Sequence, residues 1–134
     1  MKPRRPLRKM SKKREGEARQ YAKCKKVFLR EHPNCARCGT WKGFAVRDLH
    51  HWAKRAGKLY LEEKLWMMLC RECHDWVHRN EQQAQKDGWL APRGALNNHS
   101  RALVEFARRE ERLTQQQELK DIQIYLLCQI ANAK

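Results

Sequence analysis

Apolar positions recur along this chain first at helical spacing, then in short runs, then at helical spacing again. From Arg14 to about Glu31 helix formers dominate, with no glycine after Gly16. Ala18, Tyr21, Cys24 and Phe28 mark one apolar stripe there. Pro33 closes that helix, because a residue preceding proline is biased out of the α region. Phe44, Val46 and Leu49 then mark a short extended segment, with Gly39 and Gly43 as punctuation. Arg55 to Lys58 reads as a basic loop, and Leu59 to Leu61 as a second short strand or a turn. Trp66 to Leu69 is an apolar run leading into Cys70, and residues 74 to about 86 fit a helix ended by Gly88. Ala91 to Gly94 is a linker. Ser100 is placed to cap a helix from about Arg101 to Gln116, with Leu103, Phe106 and Leu113 on its buried side. The stretch IQIYLLCQIA is apolar almost all round, which predicts a helix packed on the body or a contact between copies. No internal repeat is present.

Charge changes the picture next. Lys and Arg number 30 against 15 Asp and Glu in 134 residues, a formal net charge of +15. Thirteen of the basic residues lie at or before Arg30, against only Glu15 and Glu17, so that segment carries +11. Residues 1–13, with Pro3 and Pro6 and little to bury, are expected to be a disordered basic tail. Such an excess favours polyanionic partners, with nucleic acid first, a membrane surface second and histone-like packing third. Arg14, Lys25 and Lys26 on the first helix can track a phosphate backbone. Lys54, Arg55 and Lys58, beside a histidine pair, can touch a bound strand. No window approaches the roughly 18 to 20 apolar residues of a membrane span, and no apolar segment follows the basic N-terminus. A cytoplasmic protein without a membrane partner is expected. The tryptophans at 41, 52, 66, 76 and 89 read as core, with Trp52 the candidate for stacking on a base.

The cysteines add a staple. Cys35-x-x-Cys38 and Cys70-x-x-Cys73 can supply four thiolates in a tetrahedron, the geometry of structural Zn²⁺. In a reducing cytoplasm such pairs read as metal sites rather than disulfides. The 31 intervening residues exceed a zinc-ribbon spacing, so a whole hairpin must sit between the two knuckles. The blander reading, buried or redox thiols, weakens when two such pairs occur together. Cys24 and Cys128 lie among apolar residues and are expected to be core thiols. One domain of this size has a modest core, which a metal would reinforce.

Four histidines remain clustered in sequence: His50, His51, His74 and His78. His50 and His51 are adjacent on an extended segment, so they point to opposite sides and have different jobs. His74 and His78 are four apart and share one face of a helix, a spacing that can grip one ion. Neutral imidazole serves both as metal ligand and as general base near neutral pH.

The pattern D-L-H-H, about twenty residues, then L-C-x-x-C-H-x-x-x-H resembles the His-Asn-His (HNH, ββα-metal) endonucleases. It is most similar to the small zinc-containing HNH proteins of phages and prophages. The resemblance runs from about Leu7 to Leu90 and includes SKKREGEARQYAKCKKVFLREHPNCARCG upstream and HRNEQQAQKDGWL downstream. It implies an α+β fold: a ββα-metal core over residues 14–90, stapled by a four-cysteine zinc site and flanked by N- and C-terminal helices. Residues 91–134 form a helical extension, and those beyond about 95 match nothing in the family. It implies His51 as general base, His50 and His74 as ligands of one catalytic divalent ion, and His78 as a third ligand or a phosphate contact. That ion would be Mg²⁺, Mn²⁺, Ni²⁺ or Zn²⁺. Asp48 would orient a histidine or lend charge to the metal, its blander reading being a solvated strand residue.

The implied activity is metal-dependent hydrolysis of DNA phosphodiester bonds, nicking or cutting a duplex with low sequence specificity. By the same analogy it serves phage DNA processing or packaging, with the packaging terminase as a partner. The competing reading is a zinc-stabilised DNA-binding or adaptor module that has lost catalysis. One departure bears on the choice. The family's middle asparagine, which fixes the loop beside the base histidine, falls at Leu65. Lys64, Glu63 or the backbone would then have to supply that restraint. Leu65→Asn is accordingly expected to raise nicking, or at least not to lower it.

Overall fold

The computed structural model of the chain describes residues 9–41 and 47–132. It is an α+β protein with one two-stranded sheet and helices around it. Helix α1 spans Lys12–Glu31, strand β1 Arg47–His51 and strand β2 Trp66–Cys70. Helices α2 (Arg71–Arg79), α3 (Glu81–Lys86) and α4 (His99–Asn132) follow. Two 3₁₀ turns, Gly57–Leu61 and Glu63–Leu65, connect the strands, so residues 59–61 form a turn and not a strand.

Ser11 starts α1, its Oγ accepting from the Arg14 N–H at 3.4 Å. Lys12 and Lys13 are therefore helical, two residues earlier than the sequence reading, while the tail residues 1–8 lie outside the described residues. Tyr21 and Phe28 are the buried positions of α1, and Cys24 packs partly buried beside them. The expected strand residues Phe44 and Val46 also lie outside the described residues.

β1 and β2 pair antiparallel, Arg47 opposite Cys70, Leu49 opposite Met68, His50 opposite Met67 and His51 opposite Trp66. β2 is buried along its whole length, which explains its unbroken apolar run. The helix expected over residues 74–86 is two helices. Asn80 leaves helical geometry (φ −124°, ψ 48°), and both its backbone N–H and its side-chain Nδ2 donate to the Trp76 carbonyl. α2 instead begins earlier, at Arg71, directly after the sheet.

α4 differs most from its sequence reading. Asn98, not Ser100, caps it, the side-chain oxygen accepting from the Arg101 N–H at 2.9 Å. The helix runs on to Asn132, since no glycine or proline interrupts those residues. Its first turns are packed and Leu103 and Phe106 are partly buried, but no residue beyond Arg109 is buried. Leu119, Ile122, Ile124, Tyr125 and Ile130 are all more than half exposed, and Cys128, expected in the core, is exposed too. The apolar end of α4 is thus not packed on the body. No helix among the described residues is long and apolar enough to cross a membrane.

The core has two parts. One joins α1, the sheet and α2 through Tyr21, Phe28, Trp66, Leu69 and Val77. The other joins Trp52, Leu59, Leu65 and Met67 to Ala91, Ala95 and Ala102, so the segment from position 91 onward packs on the strand connection. Trp52 is core, 2% exposed, whereas Trp41 is 62% exposed, reversing the sequence reading of these two.

Leu65, also 2% exposed, is a core residue and not a blank replacing an amide. Leu65→Asn would remove apolar packing and bury an amide among carbons. It should therefore lower stability by about 3 kcal/mol, against the expectation of improved nicking. Urea unfolding of the two proteins measures this, and equal midpoints would show that the site tolerates an amide.

Candidate metal centres

The first knuckle is built by a tight turn. Gly39 (φ 71°) lets the chain reverse, and its N–H donates to the Cys35 carbonyl at 2.8 Å. The Cys35 N–H donates to the Thr40 carbonyl, and the Ala36 N–H to the Met68 carbonyl, which ties the turn to β2. The second knuckle is the last residue of β2, Cys70, with Cys73 in the first turn of α2. The four Sγ atoms lie within 4.8 Å of one another, and those of Cys38 and Cys70 are 4.0 Å apart. Four sulfurs about 2.3 Å from one ion in tetrahedral directions would stand roughly 3.8 Å apart, so the quartet fits a structural metal such as zinc. Hydrogen bonds from Thr40 draw the exposed Cys38 thiol down to about 6, while burial pushes the Cys73 thiol up to about 12. Arg37 donates to the Cys73 Sγ at 3.6 Å and stacks its guanidinium 3.9 Å over the Trp76 ring, giving the cluster a cation beside it.

The sheet and α2 bring a second group together. His50, His74 and His78 each present a ring nitrogen, all within 4.8 Å of one another. His74 and His78 share one face of α2, their Nε2 atoms 3.3 Å apart. Two nitrogens about 2.0 to 2.1 Å from one ion in tetrahedral directions would stand about 3.3 Å apart. His50 is 2% exposed and its Nε2 lies 2.9 Å from the Trp89 carbonyl. A carbonyl only accepts, so the proton sits on Nε2 and the Nδ1 lone pair is left for a ligand bond. Backbone carbonyls commonly fix ligating histidines in this way. Burial lowers His50 to about 4 against the hydrogen bond to Trp89, so the ring is neutral near pH 7. Burial also lowers His74, and the charge of Asp48 partly opposes it.

His51 projects from the other side of β1. Its ring stacks on Tyr21 (5.6 Å between centroids) and meets Trp66 edge-on (5.7 Å). Its Nε2 is buried without a hydrogen-bond partner among the described residues. Tyr60, in the 57–61 turn, stacks its ring on Tyr21 at 4.7 Å, so the turn backs the aromatic wall against which His51 rests. Burial, then Arg55 and Lys25, lower His51 to about 4.

All four histidines line one cleft of about 580 Å³. Of the basic residues singled out in the sequence, Lys25, Lys54 and Arg55 line it, and Lys58, Arg14 and Lys26 do not. Arg55 lies over the Tyr21 ring at 4.6 Å. Arg93, read only as part of a linker, also lines the cleft, as do Glu81 and Gln85. Asp48 is no solvated strand residue: it pairs with Arg71 at 3.0 Å, and its Oδ2 is buried, without a hydrogen-bond partner among the described residues. Comparison of the chain with protein-family models, with curated proteins and with solved structures finds no match.

The cysteine cluster forms only in the folded chain, so metal binding there is coupled to folding. Protein purified without chelator should carry about one zinc per chain through thiols, and Cys73→Ser should lose it and aggregate. Elemental analysis finding no metal would reject the staple. The buried rings predict acid sensitivity. An unfolded His50 takes up a proton below the ordinary value of 6.5, which the folded ring refuses until about 4. Stability present above 6.5 should therefore fall as pH drops toward 4, by roughly 3 kcal/mol from this ring. Urea unfolding at several pH values should show a shallower fall in His50→Gln than in the wild type.

Proposed function

We propose that the chain is a metal-dependent DNA endonuclease of the HNH, ββα-metal kind. The observation that carries this reading is the division of labour among four imidazoles in one basic cleft. Three present ring nitrogens within 4.8 Å of one another, and the fourth lines the same cleft from the other face of β1. The order of hairpin then helix, with the two histidine pairs on β1 and α2, agrees with that family's pattern.

In this reading His50, His74 and His78 would hold a divalent ion. Three nitrogen donors favour Mn²⁺, Ni²⁺ or Zn²⁺ over Mg²⁺ as the tightest binder. When bound, the ion neutralises charge developing on the scissile phosphate and the leaving 3′-oxygen. His51, which lines the cleft, takes a proton from water, its ring held against Tyr21 and Trp66. Lys25, Lys54, Arg55 and Arg93 draw the phosphodiester in. A phosphate beside Lys25 and Arg55 also offsets the positive charge that lowers His51, making the ring a stronger base as substrate arrives. These contacts are to backbone phosphate, which accords with low sequence specificity.

A plasmid-nicking assay with Mg²⁺, Mn²⁺ or Ni²⁺ tests the reading and separates it from a DNA-binding module without catalysis. His51→Ala should lose nicking by roughly 10²- to 10⁴-fold yet bind the divalent ion, while His74→Ala should lose both. A wild type that binds DNA but nicks under none of these ions would favour the binding module.

A further inference from the structure

The Trp89 carbonyl that accepts from His50, and the 57–61 turn whose Tyr60 stacks on the Tyr21 ring beside His51, lie outside the sheet and the longer helices. Both segments are held by the first turns of α4. Arg109 is a buried cation, 5% exposed, although most of α4 beyond it is exposed. Its Nε donates to the Gly88 carbonyl, and its guanidinium lies 5.1 Å from the centre of the Trp89 ring and 5.4 Å from that of Phe106. It therefore grips the peptide just before Trp89 and the side chain of Trp89 itself. The Trp89 carbonyl accepts from His50. Trp52 Nε1 donates to the same Gly88 oxygen at 2.9 Å, and the Ala91 N–H to the Trp52 carbonyl at 2.8 Å, so the segment is clamped against β1 as well.

The second hold is at the start of α4. His99 Nε2 lies 2.7 Å from Glu62 Oε2, both side chains about a quarter exposed. Glu62 sits between the two 3₁₀ turns, two residues after Tyr60. Its carbonyl accepts from the Leu65 N–H, and the Leu65 carbonyl accepts from the Trp52 N–H. Ala102, on the next turn of α4, is fully buried among Leu59, Leu65 and Trp52.

We infer that α4 is a positioning element for both strand histidines, Arg109 acting on His50 through the Gly88–Trp89 backbone and His99 acting on His51 through Glu62 and the 57–65 turn. The consequence for turnover rests on the endonuclease reading; the positioning itself does not. The two arms are separable. Arg109 should control how well His50 holds an ion, and His99 how well His51 is aimed.

Imidazole ¹⁵N NMR on the full-length zinc-loaded chain reads the positioning directly. In Arg109→Met the His50 Nε2–H should exchange with solvent at least about tenfold faster than in the wild type. Co²⁺ affinity at the histidines should fall by roughly 10- to 100-fold, the usual cost of losing an outer-shell partner, with zinc at the thiols retained. Arg109→Lys, which keeps a donor, should recover most of both. In His99→Gln and Glu62→Gln the His51 ring N–H should exchange faster and nicking kcat should fall, with KM and Co²⁺ affinity unchanged.

Wild-type exchange at His50 in Arg109→Met, together with wild-type exchange at His51 in His99→Gln, would overturn the inference. If Arg109→Met does not fold, the His99 and Glu62 variants decide it alone through His51. A wild type that neither binds Co²⁺ at the histidines nor nicks DNA would reject the endonuclease reading, while the exchange rates would still judge the role of α4.

Discussion

The register of one five-residue strand pair governs everything around it. With Arg47 opposite Cys70 and His51 opposite Trp66, His50 faces α2 and His51 faces Tyr21. A slip of one residue would send each side chain to the opposite face and exchange the two imidazoles. Short strands are poorly protected against such slips by hydrogen bonding alone. Here Cys70 closes the pair at one end, because its sulfur must meet those of Cys35, Cys38 and Cys73. At the other end the Trp52 N–H reaches the Leu65 carbonyl, and Trp52 is buried to 2%. A cluster of thiols and a tryptophan thus fix a register whose only unusual products are two histidines.

Those histidines are kept neutral by burial more than by any partner. Neutrality suits a metal ligand and leaves a proton acceptor vacant, but a neutral ring has two tautomers and must be told which to adopt. For His50 that instruction comes from the main-chain carbonyl of Trp89, which holds the proton on Nε2. His51, on the opposite face of the strand, is instead packed against the rings of Tyr21 and Trp66.

Much of this was legible from the sequence where the chemistry is local. C-x-x-C pairs and a His-x-x-x-His spacing state their own geometry, and adjacent histidines on a strand must diverge. The Trp89 carbonyl was invisible, since every residue carries one and only the fold selects which is used. Arg93 was invisible for a related reason: nothing in a linker says which wall it will pass. Leu65 was misjudged because its position was compared with an asparagine elsewhere, while its neighbours Leu59, Trp52 and Met67 make it a core residue. α4 was cut short at Gln116 because its apolar stripe fades there, although the polar residues that follow are good helix formers.

The break at Asn80 has a consequence for electrostatics along α2. Nine residues span only about 13 Å, so the cysteine cluster and the histidine cluster each lie within reach of a helix end. Cys70 precedes the first helical residue and Cys73 lies in the first turn, where unpaired N–H groups give the helix its positive pole. Four thiolates around a divalent ion carry a net negative charge, which that pole stabilises. His78 lies in the last turn, where free carbonyls form the negative pole, favourable to a cation at its ring. A helix continuing unbroken to residue 86 would have carried that pole two turns beyond His78. As built, α2 is a short dipole with the cysteine cluster at its positive end and a pair of histidines at its negative one.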